Sequence, residues 1–258
     1  MIASLVAAAS VAGLLCRSDI YATHDLLSTF LPADAVSIFV GLPLILVSVF
    51  LARRGSLLGL LLWPGSLLFV FYNYVVYALA MPLGAPLAVY VVLVALSAYT
   101  AVLLVRSIDG AAVRSCLIEA VPARAAGGLL AALGILFFLQ AVVSIVTAVA
   151  AGQSPGTVPQ LATHVSDLIV TPAWVIGGVR LWRHREFGYV IGLALLFQAS
   201  MLFIGLILFL LLQPILVSGT LVASSVIVVF VLGLLCFVPF AFFVRAALSG
   251  TTRLPPTA

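Results

Sequence analysis

Long apolar segments separated by short polar ones dominate the hydropathy pattern of this chain. The apolar segments lie near residues 1–16, 35–52, 56–81, 86–105, 126–151, 167–182, 188–212 and 219–247. About 20 helical residues cross the hydrocarbon core of a bilayer. The pattern therefore predicts an all-α polytopic transmembrane bundle of eight helices, or of seven if residues 1–16 do not span.

Composition supports the bilayer as the main partner of the chain. Hydrophobic residues make up 65% of the sequence and charged residues only 7%, whereas a soluble domain carries about 25% charged residues. The formal charge of +4 comes from arginines beside the apolar segments, so it does not indicate a nucleic-acid partner. The chain contains no lysine, which excludes a retinal or pyridoxal Schiff base. We predict no cofactor and no metal site, and the sequence identifies no catalytic group.

The arginines predict the orientation. If the apolar segments alternate across the membrane, every arginine except Arg17 falls on one side or at the helix ends of that side. Basic residues are retained on the cytoplasmic side during insertion. The eight-helix reading therefore predicts that both termini are cytoplasmic.

A frame of acidic residue, apolar run, arginine turn and paired glycines occurs twice. Its members are Asp34, Gly55 and Gly59 in the first copy, and Asp167, Gly188 and Gly192 in the second. The recurrence favours two parallel four-helix repeats, residues 1–105 and 126–247, joined by a cytoplasmic loop at 106–125. The alternative is chance combined with ordinary topology signals.

Small residues four apart on a helix allow another helix to approach closely. The sequence offers such faces at Gly55/Gly59, at Gly188/Gly192 and at Gly127/Ala131/Gly134. They predict packing inside the bundle, with a homo-oligomer or a partner membrane subunit as the alternative.

Two carboxylates are the first candidates for a ligand site. Asp34 and Asp167 each open an apolar run, at the end remote from the arginine turns. Together they could bind a cation or carry a proton at the mouth of an outward-facing cavity. The simpler alternative is that each one caps the start of its helix. His164 precedes Asp167 by three residues and shares its face if that helix begins early.

Polar side chains inside the third apolar run are the second set of candidates. Asn73 must find a hydrogen-bond partner in the membrane, and Tyr77 lies one turn further along. They either make an interhelical hydrogen bond within an aromatic belt or line a pocket with Asp34. The predicted ligand-binding set is therefore Asp34, Asn73, Tyr77, His164 and Asp167.

A charged turn follows the sixth apolar run. It contains Arg180, Trp182, His184, Arg185 and Glu186. Contact with anionic lipid headgroups is the simplest explanation of such a turn.

Two long segments resemble a known group of proteins. The run LARRGSLLGLLLWPGSLLFVFYNYVVYALAMPLGAPLAVYVVLVALSAY and the later run DLIVTPAWVIGGVRLWRHREFGYVIGLALL are similar to a group of uncharacterised prokaryotic multi-pass membrane proteins. The resemblance implies a location in the plasma membrane of a prokaryote. The group has no assigned activity, so the resemblance implies no functional residue.

These observations leave several classes of function open. The preferred hypothesis is a carrier or channel for a small solute or ion. The alternatives are a scaffold or accessory subunit of a larger complex, an intramembrane enzyme acting on a lipid or quinone, and a sensor.

Overall fold

Helices, most of them apolar, form most of the described structure. The computed structural model describes residues 1–118, 121–217 and 222–250, and these ranges contain no β-strand. The elements in chain order are α1 (Ile2–Leu15), α2 (Arg17–Ile20), α3 (His24–Val36), a π-helix (Ser37–Gly41), α4 (Leu42–Arg53), α5 (Leu57–Ala80), α6 (Ala85–Ser107), α7 (Gly110–Leu117), α8 (Ala123–Ala150), α9 (Val158–Trp182), α10 (Glu186–Val217) and α11 (Ala223–Gly250). Arg253 and the start of the predicted segment at 219 lie outside the described residues.

Six helices are long and apolar enough to cross a membrane. They are the continuous segment His24–Arg53 and helices α5, α6, α8, α10 and α11. Helix α1 has 14 residues, or about 21 Å at 1.5 Å per residue, which is short of the hydrocarbon core. Helix α9 has 25 residues but carries His164 and Asp167 and is not among the six. The protein is therefore a multi-pass helical membrane protein, and the count of eight crossings stays a prediction.

Two helices begin well before the carboxylates that were expected to open them. Helix α3 starts at His24, and its first turn is capped by the Thr23 hydroxyl, which accepts from the Leu26 N–H at 3.3 Å. Helix α9 starts at Val158, and Gln160 Oε1 accepts from the Thr157 N–H at 2.9 Å. The helix-cap explanation of Asp34 and Asp167 is therefore wrong, because both lie more than two turns inside their helices.

The segment predicted as a loop at 106–125 contains a helix. Asp109 Oδ1 accepts from the N–H groups of Ala111 and Ala112 at 2.9 and 3.3 Å and so begins α7. Val113 and Leu117 are buried in the larger hydrophobic core, which fixes α7 against α10 and α11. Glu119 and Ala120 lie outside the described residues.

Each of the two arginine-containing turns includes one residue with a positive φ. Gly55 lies in the turn between α4 and α5 with φ of 72°, and His184 lies in the turn between α9 and α10 with φ of 52°. Gly188 lies inside α10, whereas Gly55 lies in the turn before α5. No atom of the described residues lies within 4 Å of the position that a Cβ would take at Gly55, so Gly55 does not form a helix-packing face.

Gly59 and Gly188 each lie in the first turn of the helix that follows an arginine-containing turn. A Cβ at Gly59 would meet the backbone of Leu51 and Ala52 in the preceding helix. A Cβ at Gly188 would meet the backbone of Arg180 and Leu181 in the preceding helix. Each glycine therefore allows its helix to fold back closely on the helix before it.

Helices α5 and α10 form the centre of the bundle. They pack on each other, α5 also packs on α9, and α10 also packs on α3. Gly65 brings the central pair together, because a Cβ there would lie 2.5 Å from the Ala194 carbonyl oxygen. This arrangement leaves the first part of α3 and α9 beside the second part of α5 and α10, away from the arginine turns.

Helices α8 and α9 pack through small residues on both sides. A Cβ at Gly127 would lie 2.5 Å from the Gly178 carbonyl oxygen, and one at Gly178 would lie 2.6 Å from the Ala131 nitrogen. A Cβ at Gly134 would contact Thr171 and Trp174. The small-residue face predicted on this segment therefore packs inside the bundle.

Replacement of Gly127 by alanine should destabilise the protein, whereas replacement of its neighbour Gly128 should not. The added methyl at Gly127 collides with backbone, and overpacking of this kind costs about 1–3 kcal/mol. At Gly128 the described part of the chain places no atom within 4 Å of the added methyl, so alanine there should be neutral or should stabilise the helix by up to about 1 kcal/mol. The free energy of unfolding in mixed micelles measures both. Equal effects of the two substitutions would contradict this packing.

Candidate functional site

A cavity of about 360 Å³ lies between α3, α5, α8, α9 and α10. It occupies the half of the bundle remote from the arginine turns. Its polar lining comes from Thr29, Tyr72, Asn73, Tyr77, Gln140, Thr163, His164, Asp167 and Thr171, and its aromatic lining includes Phe30, Phe69, Phe137, Trp174, Phe203 and Phe209. Pockets of this size with a mainly apolar wall and a few polar groups are typical ligand sites.

The structure brings four of the five predicted residues to this cavity. Asn73 and Tyr77 line it from α5, and His164 and Asp167 line it from α9. Asp34 is not among the lining residues and lies behind Tyr77. The expectation that both carboxylates line one cavity is therefore wrong for Asp34.

Asp167 supplies the carboxylate in the cavity wall. Its side chain is partly buried, and its Oδ1 accepts from the Tyr72 hydroxyl at 2.8 Å. His164 lies one turn earlier and Thr171 one turn later on the same face of α9, which begins early enough to carry all three. The Tyr72 bond joins α5 to α9 and fixes the carboxylate against the cavity.

Asn73 does not make the interhelical hydrogen bond expected of it. Its Nδ2 donates to the Phe69 carbonyl of its own helix at 2.8 Å. Its amide oxygen accepts no hydrogen bond from the described residues. The cavity therefore contains an amide acceptor as well as the Asp167 carboxylate.

Asp34 is sealed behind the cavity by tyrosine hydroxyls. It is 1% exposed, the Tyr21 hydroxyl donates to its Oδ2, and the Tyr77 hydroxyl donates to its Oδ1 at 2.9 Å. Burial, with a further contribution from the Asp34 carboxylate, raises the pKa of Tyr21 far above its ordinary value, so this phenol keeps its proton. Gly13 lies so close to Asp34 that any Cβ there would overlap the carboxylate.

An aromatic cluster surrounds the Asp34 carboxylate. The Phe30 and Tyr77 rings are 4.3 Å apart between centroids, and Tyr74 and Tyr90 extend the contact to α6. Tyr77 is the link between the two sites, since its hydroxyl binds Asp34 and its side chain lines the cavity. Asp34 therefore acts on the cavity through the position of Tyr77.

The sequence patterns did not reveal several groups that hold the site together. Gln198 joins three helices, because its Oε1 accepts from Trp174 Nε1 at 3.3 Å and its Nε2 donates to the Leu68 carbonyl at 3.1 Å. Tyr21 and Tyr72, the donors to the two carboxylates, were also missed. Tyr21 lies beside an apolar segment, where a tyrosine is equally typical of an aromatic belt. Tyr72 lies inside one, and its partner on another helix has no local signal in the sequence.

The described residues contain no group of three or more His, Cys, Asp and Glu side chains close enough to hold a metal ion. His24 is exposed and does not line the cavity. The polar groups of the cavity are thus one carboxylate, one imidazole, amides and hydroxyls.

These features define a multi-pass helical membrane protein with a largely apolar, aromatic cavity that contains a few polar groups. Comparison of the chain with protein-family models, curated proteins and solved structures finds no match. The geometry of the site is therefore the basis for assigning a function.

Replacement of Tyr77 by phenylalanine should destabilise the protein by about 1–3 kcal/mol, because it leaves a buried carboxylate oxygen without its donor. Tyr99→Phe is the matched control, since Tyr99 is 65% exposed and its loss of a hydroxyl should change stability by less than about 0.5 kcal/mol. Unfolding in mixed micelles measures both variants. Indistinguishable stabilities would show that the Tyr77–Asp34 bond does not hold this part of the bundle.

Proposed function

We propose that the protein is a membrane carrier whose cavity binds a small organic cation. The observation that carries this proposal is the Asp167 carboxylate in the wall of an aromatic cavity. The proposal keeps the preferred hypothesis from the sequence and adds a chemical class for the solute.

The charge of the cavity favours a cationic ligand. Asp167 is the carboxylate among the lining residues, and no arginine of the described chain lines the cavity. A carboxylate in an apolar site is costly unless it is paired, and Tyr72 supplies a hydrogen bond but no positive charge. An ammonium group beside Asp167 would supply that charge.

The aromatic lining favours the same class of ligand. Cations are attracted to the faces of Trp, Tyr and Phe rings within about 6 Å, and Trp174, Phe137 and Tyr72 all line the cavity near α9. Phe137 and Trp174 pack edge to face with centroids 6.2 Å apart. Asn73 and His164 would then orient a second polar group of the solute.

Asp34 has a supporting role in this proposal. It holds Tyr77 rather than the solute, and Tyr77 forms the wall between the buried carboxylate and the cavity. The proposed binding residues are therefore Asp167, Asn73, His164 and Tyr77, with Asp34 as a positioning residue.

We also propose eight crossings, with α1 and α9 added to the six apolar helices, and two parallel repeats. The packing pairs support duplication: α1 with α6 matches α8 with α11, and α5 with α6 matches α10 with α11. Likewise α5 with α9 matches α10 with α3. Under this proposal the arginine turns and both termini face the cytoplasm of a prokaryotic cell, and the cavity opens outward.

Uptake of tetraethylammonium and benzyltrimethylammonium into proteoliposomes tests the carrier proposal. Asp167→Asn should reduce uptake at least about tenfold, equivalent to about 1.4 kcal/mol of lost binding, while the protein still folds. Asp25→Asn is the control, since Asp25 is exposed and does not line the cavity. Uptake by neither the parent protein nor the control would overturn the carrier proposal.

A membrane-impermeant maleimide on intact cells tests the orientation. Cys16 is exposed and lies on the side opposite the arginine turns, so it should react from outside. A cysteine introduced by Ser56→Cys in a Cys16→Ala background should react only after the cells are opened. Labelling of that position in intact cells would reverse the proposed topology.

A further inference from the structure

A basic groove lies at the end of the bundle opposite the cavity. It has a volume of about 1550 Å³ and is lined from α7, α8, α9 and the turn between α9 and α10. Its charged lining residues are Arg114, Arg124, Arg180, Arg183, Arg185 and Glu186. The fold thus gathers arginines from two stretches that are far apart in sequence, 114–124 and 180–185.

The positive charge of the groove is poorly compensated within the described residues. Five guanidinium groups face one carboxylate, and the contact between Arg114 Nη1 and Glu186 Oε1 is long, at 3.9 Å. His184 cannot compensate this positive charge, because an imidazole carries no negative charge. Its Nδ1 is 2.8 Å from the Tyr189 hydroxyl. Like charges gathered in one groove attract an anion.

Arg114 shows where an acceptor is missing. Its Nε is buried and has no hydrogen-bond partner in the described part of the chain. An unmade hydrogen bond at a buried donor is unfavourable. That atom has almost no surface accessible to a ligand, but the Arg114 side chain as a whole is 40% exposed. The rest of its guanidinium group can bind a phosphate oxygen in the groove, because guanidinium and phosphate match in geometry.

The groove also has an apolar wall. Its lining continues along α9 through Val179, Ile176 and Val175, away from the arginines and toward the middle of the bundle. Trp182 and Phe187 are 54% and 39% exposed at its edge, and the Arg180 guanidinium lies 5.3 Å from the Phe187 ring centroid. Aromatic residues in this position are typical of the boundary between headgroups and acyl chains.

The other arginine turn shows that topology alone does not produce such a groove. Arg53 and Arg54 lie at the same end of the bundle, but neither lines the groove. Arg54 instead lies 4.2 Å from the Phe50 ring centroid on its own helix. Retention of basic residues on one side of the membrane explains why both turns contain arginines. It does not explain why Arg114 and Arg124 line the same groove as Arg180.

We propose that this groove is a binding site for an anionic phospholipid. The headgroup phosphate contacts Arg114, Arg180 and Arg183, and one acyl chain lies along Ile176 and Val179. The site is independent of the solute cavity and does not rest on the carrier proposal.

Native mass spectrometry of the detergent-purified full chain tests the site with dioctanoyl phosphatidylglycerol as the probe and dioctanoyl phosphatidylcholine as the neutral control lipid. The double substitution Arg180→Gln/Arg183→Gln should weaken phosphatidylglycerol binding about tenfold or more. Arg53→Gln/Arg54→Gln removes the same charge at the same end of the bundle and should leave binding within about twofold of the parent protein. Equal losses in the two double variants would overturn the proposal.

Two further measurements cover a variant that fails to fold and a ligand without acyl chains. If the first double variant does not fold, Arg124→Gln removes an exposed groove arginine and should still weaken the lipid more than Arg53→Gln does. Inorganic pyrophosphate serves as a chainless anion and should not displace the lipid at millimolar concentration. The lipid assignment would be overturned if pyrophosphate displaced the lipid and Ile176→Ser bound the lipid as well as the parent protein does. The groove would then be assigned to a soluble phosphate compound.

Discussion

The need to satisfy polar groups inside an apolar bundle governs this structure. No water is present in the hydrocarbon core, so a buried polar side chain must find its partner within the protein. Gln198 meets this requirement by joining α5, α9 and α10. Ser48 and Ser66 meet it by bonding each other at 3.0 Å between α4 and α5. The polar contacts therefore fix which helices are neighbours, while the small residues fix how close they come.

The two carboxylates differ in how far the protein itself satisfies their capacity to accept hydrogen bonds. Asp34 has two tyrosine donors and no access to the cavity, so its bonding capacity is largely used within the protein. Asp167 has one donor and faces the cavity. The carboxylate with the unused capacity is the one suited to a ligand. Burial and hydrogen bonding thus distinguish two residues that look alike in the sequence.

Hydropathy predicted the helical class and most of the helix positions, because a segment that faces lipid must be apolar along its whole length. It could not place the helix starts, because the residues from 24 to 33 and from 158 to 166 are polar enough to read as connections. The pairing of Tyr72 with Asp167 depends on which helices become neighbours, and no local pattern in the sequence encodes that. His164 reaches the cavity because it shares a face of α9 with Asp167. Asn73 and Tyr77 reach it because they share a face of α5, which packs on α9.

The π-helix at Ser37–Gly41 changes how the two halves of the chain correspond. A π-turn of this kind inserts one residue into an otherwise regular helix, so residues before it are shifted relative to residues after it. Under the proposed duplication, counting back from Gly55 and His184 in the two turns across that insertion places Asp34 opposite His164. If the halves share an ancestor, a carboxylate enclosed by phenols in one half stands at the position of an imidazole that lines the cavity in the other.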